Sequence, residues 1–220
     1  MNVKQAKEIS GPLSYPGKMP GTSYAHSAKH CITGSKLALI KGTPCHACYA
    51  ITIQKLRPAV NQGWEANTNK WYKAVKDGTV DKWVEAIVFQ LNRYNTDGYH
   101  RWFVSGDLQS LEMLEAIIAV CDATPNVKHW LPTQERGIVA GYKVKHNYWP
   151  ENLVLRISAS KVNGHSSANG EQQSSSVFTK DAGVPVGASE CEAHLRENKC
   201  GPCRACWDKT VQHIAYPKHR

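Results

Sequence analysis

Seven of the eight cysteines in this 220-residue chain fall into two groups whose spacing suits metal chemistry. The C-terminal group, CEAHLRENKCGPCRACWD, carries Cys191, Cys200, Cys203 and Cys206. Three cysteines separated by two residues each can turn their sulfurs toward one point in a tight loop. Gly201 and Pro202 suit such a loop, by allowing an unusual φ and by removing a backbone donor. C-x2-C-x2-C is the spacing of a bacterial ferredoxin run, and Cys191 supplies a fourth thiolate. Four thiolates close a coordination shell, so this site is expected to be structural or electron-carrying. Zinc is the alternative metal, but zinc sites more often arrive as two C-x2-C pairs, and the triple run favours an iron–sulfur cluster.

The N-terminal group is Cys31, Cys45 and Cys48. Three thiolates hold three corners of a [4Fe–4S] cubane and leave the fourth iron open to substrate or cofactor, much as a catalytic metal keeps an open position. For the three to meet, CITGSKLALIKGTPC is expected to fold back as a hairpin with Thr33-Gly34-Ser35 at its turn; otherwise Cys45 and Cys48 borrow ligands from the C-terminal group. A thioredoxin-like dithiol at Cys45 and Cys48 is the rival reading, and it leaves Cys31 and the C-terminal cysteines unexplained. Cys121 shares a helical face with Leu114, Ile117 and Ile118 and reads as a small core residue.

The elements that must position these thiols follow from periodicity. Residues 1–30 are polar and rich in Gly, Pro and Ser, which predicts an irregular arm. KLALIK (36–41) predicts a short strand, and AITIQKL a helix ending before Pro58. Residues 60–76 predict a helix with Trp64, Trp71 and Val75 on one face. Residues 80–94 predict another, with Val84, Ile87, Val88 and Leu91 as its core-facing stripe. Asp77-Gly78 marks the turn between them. HRWFV (100–104), VKHWLP (127–132) and LVLRISAS (153–160) read as strands. Helices over 110–123, with Ser110 as N-cap, and near 137–145 separate them. Strand–turn–helix units in series imply parallel strands. Residues 161–190 are rich in Ser, Gly, Asn and Gln, which predicts a long mobile loop containing one short strand at VFTK. The expected fold is α/β: a partial or distorted (β/α) barrel over 31–190, preceded by the arm and closed by a cysteine-rich cap over 191–220.

In parallel α/β sheets, chemistry gathers at the carboxyl ends of the strands, here SGD, PTQER and RISAS. Ser105, Gly106 and Asp107 are candidates to bind a cofactor, and Asp107 to receive a cationic group or else to cap a helix. Thr133 and Glu135 follow the next strand, where Glu135 either acts in catalysis or pairs with Arg136 at the surface. Arg156 and Ser158 share a face. An inward Arg156 calls for an anion such as a carboxylate, a phosphate or an anionic cluster, which makes it a catalytic and cofactor-binding candidate. His213 and His219 are candidate ligands or hydrogen-bond donors near the cysteine run, and Trp207 is placed to shield a cluster from water.

The formal net charge is +9. Loading two clusters leaves it at roughly +6, once thiolates and metal cores are counted. A basic surface fits an anionic substrate or nucleic acid, and the aromatics interleaved with lysines suit stacking on bases. MNVKQAKEIS is not a signal peptide and no stretch reaches membrane-spanning length, so a cytoplasmic protein with reduced thiols is expected.

The combination of GKMPGTSY, C-x13-C-x2-CYA, RWFVSGDLQS, HWLPTQER, LRISAS and C-x2-C-x2-CWDKTVQHIAYPKH resembles a family of phage-encoded proteins known by a gene-product number, over nearly the whole chain. The C-x2-CYA element and the strand ending in SGD also resemble radical S-adenosylmethionine (SAM) enzymes. That likeness implies a partial barrel, a three-cysteine [4Fe–4S] site at Cys31, Cys45 and Cys48, SAM as a possible cofactor, a second, fully ligated cluster near the C-terminus and a host electron donor. Thirteen residues separate Cys31 from Cys45, where the radical-SAM pattern has three, and no Gly-Gly-Glu-Pro segment is present. The chain is thus expected to be a redox-active iron–sulfur protein, and in its enzymatic version a radical-SAM-like one. The contrasting expectation is a nucleic-acid- or host-factor-binding protein stapled by structural metal.

Overall fold

Asn2 opens the first helix, α1 (Val3–Ser10), with a reciprocal capping box: its side chain accepts from the Gln5 N–H while the Gln5 side chain accepts from the Asn2 N–H. The first thirty residues are therefore not simply an irregular arm. They also supply a short strand, β1 (Thr22–Ser23), and a single 3-10 turn over Ala28–His30. The computed structural model describes residues 1–164 and 173–218; residues 165–172 of the mobile loop expected within 161–190 lie outside the described residues, as does His219, while the rest of that segment carries two strands, over Gln173–Phe178 and Ser189–Glu190, in place of one short strand at VFTK.

Four helices separate β1 from the next strand: α2 (Ile32–Leu37), α3 (Tyr49–Leu56), α4 (Pro58–Lys76) and α5 (Val80–Tyr94). KLALIK is thus not a strand. Its first residues finish α2, and Leu39 and Ile40 stand exposed in the turn that follows. The run has no partner strand beside it, and an apolar run too short to span a sheet is ambiguous between strand and helix. On α4 the buried face is Asn67, Thr68, Trp71 and Ala74, while Val75 is exposed. On α5, Ile87 and Leu91 are fully buried, with Val84 and Val88 partly buried beside them.

Strands and helices then alternate as far as β4, through β2 (Tyr99–Arg101), α6 (Leu111–Ala123), β3 (Lys128–Thr133), α7 (Arg136–Lys145) and β4 (Leu153–Ser158), and β5 (Gln173–Phe178), β6 (Ser189–Glu190) and β7 (His213–Pro217) follow with no α-helix between them among the described residues. Ser110 caps α6 by accepting from the Met113 N–H at 3.1 Å. β2 is shorter than HRWFV because Phe103 takes a positive φ of 55° and leaves the strand. All strand pairs are parallel, in a seven-stranded sheet of order β1-β2-β3-β4-β5-β7-β6 that does not close on itself.

Side chains alternate across a strand, and here the alternation divides two different coverings. Leu131, Leu153, Leu155 and Ile157 join one core with Trp71, Trp83, Ile87, Leu114 and Ile117 of the helices. Cys121 is buried in that core, as its helical face predicts. Trp130 and Arg156, of the opposite parity, meet the cysteine-rich segment instead. That segment packs directly on the sheet, covering the face that the helices leave.

Candidate functional site

The N-terminal thiols sit at the carboxyl edge of the sheet, assembled by the loops after β1, β2 and β3. Asp107, just past β2, is buried and braced on three sides. It accepts from its neighbour's Leu108 N–H (2.8 Å), from Thr133 Oγ1 (2.6 Å) and from the Gln134 N–H (2.9 Å). Burial pushes its carboxyl up to about 7 against the pull of those bonds. Thr133 passes the chain on, accepting from the Glu135 N–H at 2.9 Å. Asp107 therefore knits β2 to β3, rather than presenting a free carboxylate or capping α6.

Glu135 does not pair with Arg136. Its two oxygens accept from the Thr33 N–H and the Thr33 hydroxyl, both at 2.7 Å, on the first turn of α2 next to Cys31. Arg136 reaches instead to the Ser158 carbonyl at 2.6 Å. The other end of the loop is tied by Tyr49, immediately after Cys48, whose hydroxyl donates to the Val104 carbonyl beyond β2. Helix α2 and its following turn, not a hairpin, bring Cys31 and Cys45 together. Gly34 makes this possible. A Cβ there would lie 2.9 Å from Cys31 Cβ, and 3.6 and 3.8 Å from the sulfurs of Cys31 and Cys45. The glycine keeps open the space between the two thiols.

Burial pushes the Cys31 thiol well up, and the nearby charges of Asp107, Cys48, Cys45 and Glu135 push it further; Cys45 rises to about 11 for the same reasons. These thiols are thus mutual neighbours in a carboxylate-lined setting. The remaining edge candidates are Ser105, Gly106 and Ser158. The Ser105 carbonyl accepts from the His26 N–H at 2.9 Å, while its buried hydroxyl has no partner. At Gly106, φ is +82° and a Cβ would strike His26 at 2.7 Å, so glycine is required where the β1 and β2 loops cross. Ser158 accepts from Ser175 Oγ at 3.4 Å.

The C-terminal thiols lie on the sheet face away from the helices. Cys191 is fixed by its N–H to the Ala215 carbonyl of β7, and Cys200 by its N–H to the Lys18 carbonyl, each at 2.8 Å. Arg156 is fully buried, and no carboxylate accepts a hydrogen bond from it. Its five N–H groups face five carbonyls: Cys206 (3.2 Å), Val211 (2.8 Å), Ser174 (3.5 Å), Ala205 (2.9 Å) and Asp208 (3.0 Å). The guanidinium works as a staple for the loop that carries Cys206. Trp207 locks the same loop by donating Nε1–H to the His100 carbonyl at 2.8 Å and packing 5.2 Å from Trp130. Tyr216 on β7 places its hydroxyl 3.3 Å from the Cys206 sulfur. Burial still pushes the Cys206 thiol up to about 12, opposed by Tyr216, Arg156 and Arg101. Cys200 is raised by burial and by Cys191 and Cys203, and drawn down by Arg101 and Arg204. His213 spends both ring nitrogens on the Ser174 and Ser176 hydroxyls at 2.7 Å.

All eight cysteines are free thiols. Among the described residues, no three His, Cys, Asp or Glu side chains stand within reach of a single metal ion. Sequence reasoning missed Thr33, Tyr49, Arg101 and Tyr216. For Tyr216 a signal was present in the alternation of HIAYP, which forms β7.

A family model described as Gene product 88 matches residues 3–209. The chain belongs to the Gene product 88 family. No curated protein and no solved structure matches it. Among the described residues no helix is long and apolar enough to cross a membrane.

Proposed function

We propose that this Gene product 88 protein is an iron–sulfur protein with two clusters, one held by Cys31, Cys45 and Cys48 and the other by Cys191, Cys200, Cys203 and Cys206. The observation that carries the reading is the segregation of seven free thiols into two sets. Each is pinned to a different part of one sheet, and each thiol whose electrostatics are resolved responds to members of its own set. The chemistry of the donors supports iron over zinc. Cys200, Cys203 and Cys206 have the C-x2-C-x2-C spacing of a ferredoxin run, whereas zinc sites more often arrive as two C-x2-C pairs. The guanidiniums of Arg101, Arg156 and Arg204 beside the four-thiol set suit a cluster of net negative charge.

The three-thiol set supports a redox enzyme reading. It lies at the carboxyl edge, where parallel sheets place their chemistry, and a cluster there keeps one iron for an external ligand. Strand order follows chain order from β1 to β5, without the reversal of a doubly wound sheet, which suits an open (β/α) barrel of the kind radical-SAM chemistry uses. In that reading SAM is the ligand of the open iron. Asp107 and Glu135 hold the loops around it, rather than touching substrate.

The test is oxygen-free isolation followed by iron, sulfide and zinc analysis. About eight irons per chain are expected. Cys31→Ser should remove the N-terminal half and Cys200→Ser the C-terminal half. A chain that binds only zinc, or in which either variant empties both sites, overturns the assignment. Reductive cleavage of SAM to 5′-deoxyadenosine by the loaded, reduced chain tests the enzymatic version.

A further inference from the structure

No Asp or Glu occurs between residues 9 and 64, a stretch that carries Lys18, Lys29, Lys36, Lys41, Lys55 and Arg57 and all three N-terminal thiols. Lys29 pairs with Glu65. Lys36, Lys41, Lys55 and Arg57 are exposed and have no carboxylate partner among the described residues. Between these cations the loop turns apolar side chains outward: Leu39 is 86% exposed, Ile40 52% and Tyr49 57%, with Ile32 beside them. The loop is not slack. Thr43 Oγ1 donates to the Leu37 and Ile40 carbonyls at 2.7 and 2.9 Å, His46 Nδ1 lies 3.0 Å from the Ala38 carbonyl, and the Val162 N–H donates to the Gly42 carbonyl at 2.8 Å. A rigid loop holding leucine and isoleucine in water is a surface built to be covered.

We propose that the face formed by residues 31–57 is the docking surface for an acidic one-electron carrier protein, which delivers electrons to the adjacent Cys31, Cys45 and Cys48 site. The inference rests on the cluster reading above and adds the partner's chemistry and its place. Charge complementarity selects an acidic partner, and the all-basic rim steers it. An apolar centre ringed by charge is the anatomy of a protein interface. A nucleic-acid face would need rings free to stack, and the two aromatic rings in residues 31–57 are both held to the backbone, His46 through Nδ1 at the Ala38 carbonyl and Tyr49 through its hydroxyl at the Val104 carbonyl. A carrier seated on Leu39 and Ile40 touches the loop that holds the thiols, so one electron passes from the reduced carrier to the oxidised cluster with no further reactant.

The experiment compares the wild type with Lys36→Glu/Lys41→Glu/Lys55→Glu and with Leu39→Ser/Ile40→Ser; the substituted side chains are exposed. Reduced flavodoxin and reduced plant-type ferredoxin, both acidic, serve as probes, and stopped flow follows bleaching of the visible band without oxygen. The wild-type second-order rate should fall as salt rises. The charge-reversed chain should be at least tenfold slower at low salt, and the serine variant slower at all salts, while dithionite reduces all three alike. Equal rates with the protein donors overturn the proposal. So does a charge reversal that abolishes oligonucleotide binding but spares reduction, which assigns the face to nucleic acid. If the wild type holds no iron, the cluster reading fails by itself. Calorimetry with the oxidised probes on the metal-free chain then decides the surface: binding lost on charge reversal supports it, and no binding by the wild type overturns it.

Discussion

Replacing Arg156 with methionine should unseat the loop that carries Cys206 without altering the helical core. The side chain is fully buried, and its five N–H groups are matched one to one with carbonyls on residues 174, 205, 206, 208 and 211. Four of these contacts are 3.2 Å or shorter, while the fifth, to Ser174, is at the 3.5 Å limit. Hydrogen bonds from a charged donor contribute about 1.5–3 kcal/mol each, and a buried carbonyl left without a donor costs ~1–3 kcal/mol. Against this, the variant no longer carries the cost of burying a charge, which is several kcal/mol. The balance is a loss of about 3–5 kcal/mol, a large share of a stability typically ~5–15 kcal/mol. For a chain of this size, that lowers the melting midpoint by roughly 10 °C. Urea titration of the metal-free chain measures the difference directly. Arg156→Lys, with three donors instead of five, should fall between wild type and methionine. In the loaded chain, iron should be lost from the C-terminal site first. A methionine variant within about 1 kcal/mol of wild type would refute the staple, because it would mean that those carbonyls find water as readily as the guanidinium.

Three further outcomes follow from the geometry. Gly34→Ala puts a methyl 2.9 Å from Cys31 Cβ, in the space between two sulfurs; N-terminal iron should be lost while C-terminal iron persists, and equal loading of both sites would show that the gap is not used. Tyr216→Phe removes the hydroxyl 3.3 Å from the Cys206 sulfur, so the reduction potential of the C-terminal cluster should fall, and an unchanged potential would rule out a hydrogen bond to that sulfur. His26 and His129 are held neutral by burial down to a pKa of about 3, and burial, with His129 nearby, also depresses His100. Unfolding releases all three to an ordinary value near ~6.5, so the unfolded chain binds more protons as pH falls, and stability is lost from about pH 6.5 downward. At pH 5 this amounts to about 2 kcal/mol per histidine, of which Asp107, raised to about 7, offsets about one histidine's share by taking up a proton in the folded state; a urea midpoint unchanged between pH 7 and pH 5 would contradict the net loss.

Where sequence and structure agree, a local rule and the tertiary context pointed the same way. The helices over 80–94 and 110–123 carry strong apolar periodicity, and each sits where that stripe finds a core. The middle of the parallel sheet, β2 to β4, was legible because strand and helix patterns alternate between residues 99 and 158, whereas β1, β6 and β7 are too short or too polar to read as strands. KLALIK failed because its apolar residues serve a surface, not a core. Leu39 and Ile40 satisfy a strand pattern and are nevertheless exposed. The role of Arg156 was half legible. Its burial followed from the apolar neighbours on LVLRIS, but its partners are carbonyls supplied from some fifty residues away, and backbone acceptors leave no trace in residue type. Glu135 was misread for a similar reason: Arg136 is adjacent in sequence, whereas Thr33, its actual partner, is 102 residues distant. Short-range pairing is what a sequence displays, and long-range pairing is what positions these thiols.

The two thiol sets differ most in the charges around them, and the difference bears on what each can do. The four-thiol set has arginines for neighbours: Arg101 and Arg204 draw the Cys200 pKa down, and Arg156 and Arg101 that of Cys206. Fixed positive charge offsets four thiolates and stabilises the reduced, more negative state of a closed cluster, which raises its potential. The three-thiol set has the opposite surroundings, since Asp107 and Glu135 make the Cys31 and Cys45 thiolates harder to form. Negative charge beside a cluster, which Asp107 supplies in full only above its pKa of about 7, lowers the potential and makes the reduced form a stronger donor. It also favours a cationic ligand at an open iron over an anionic one. In the proposed arrangement, the C-terminal site is therefore the easier to reduce and the N-terminal site the stronger reductant. That ordering fits catalysis at the strand edge, with the basic loop outside it drawing the acidic carrier that a low-potential cluster requires.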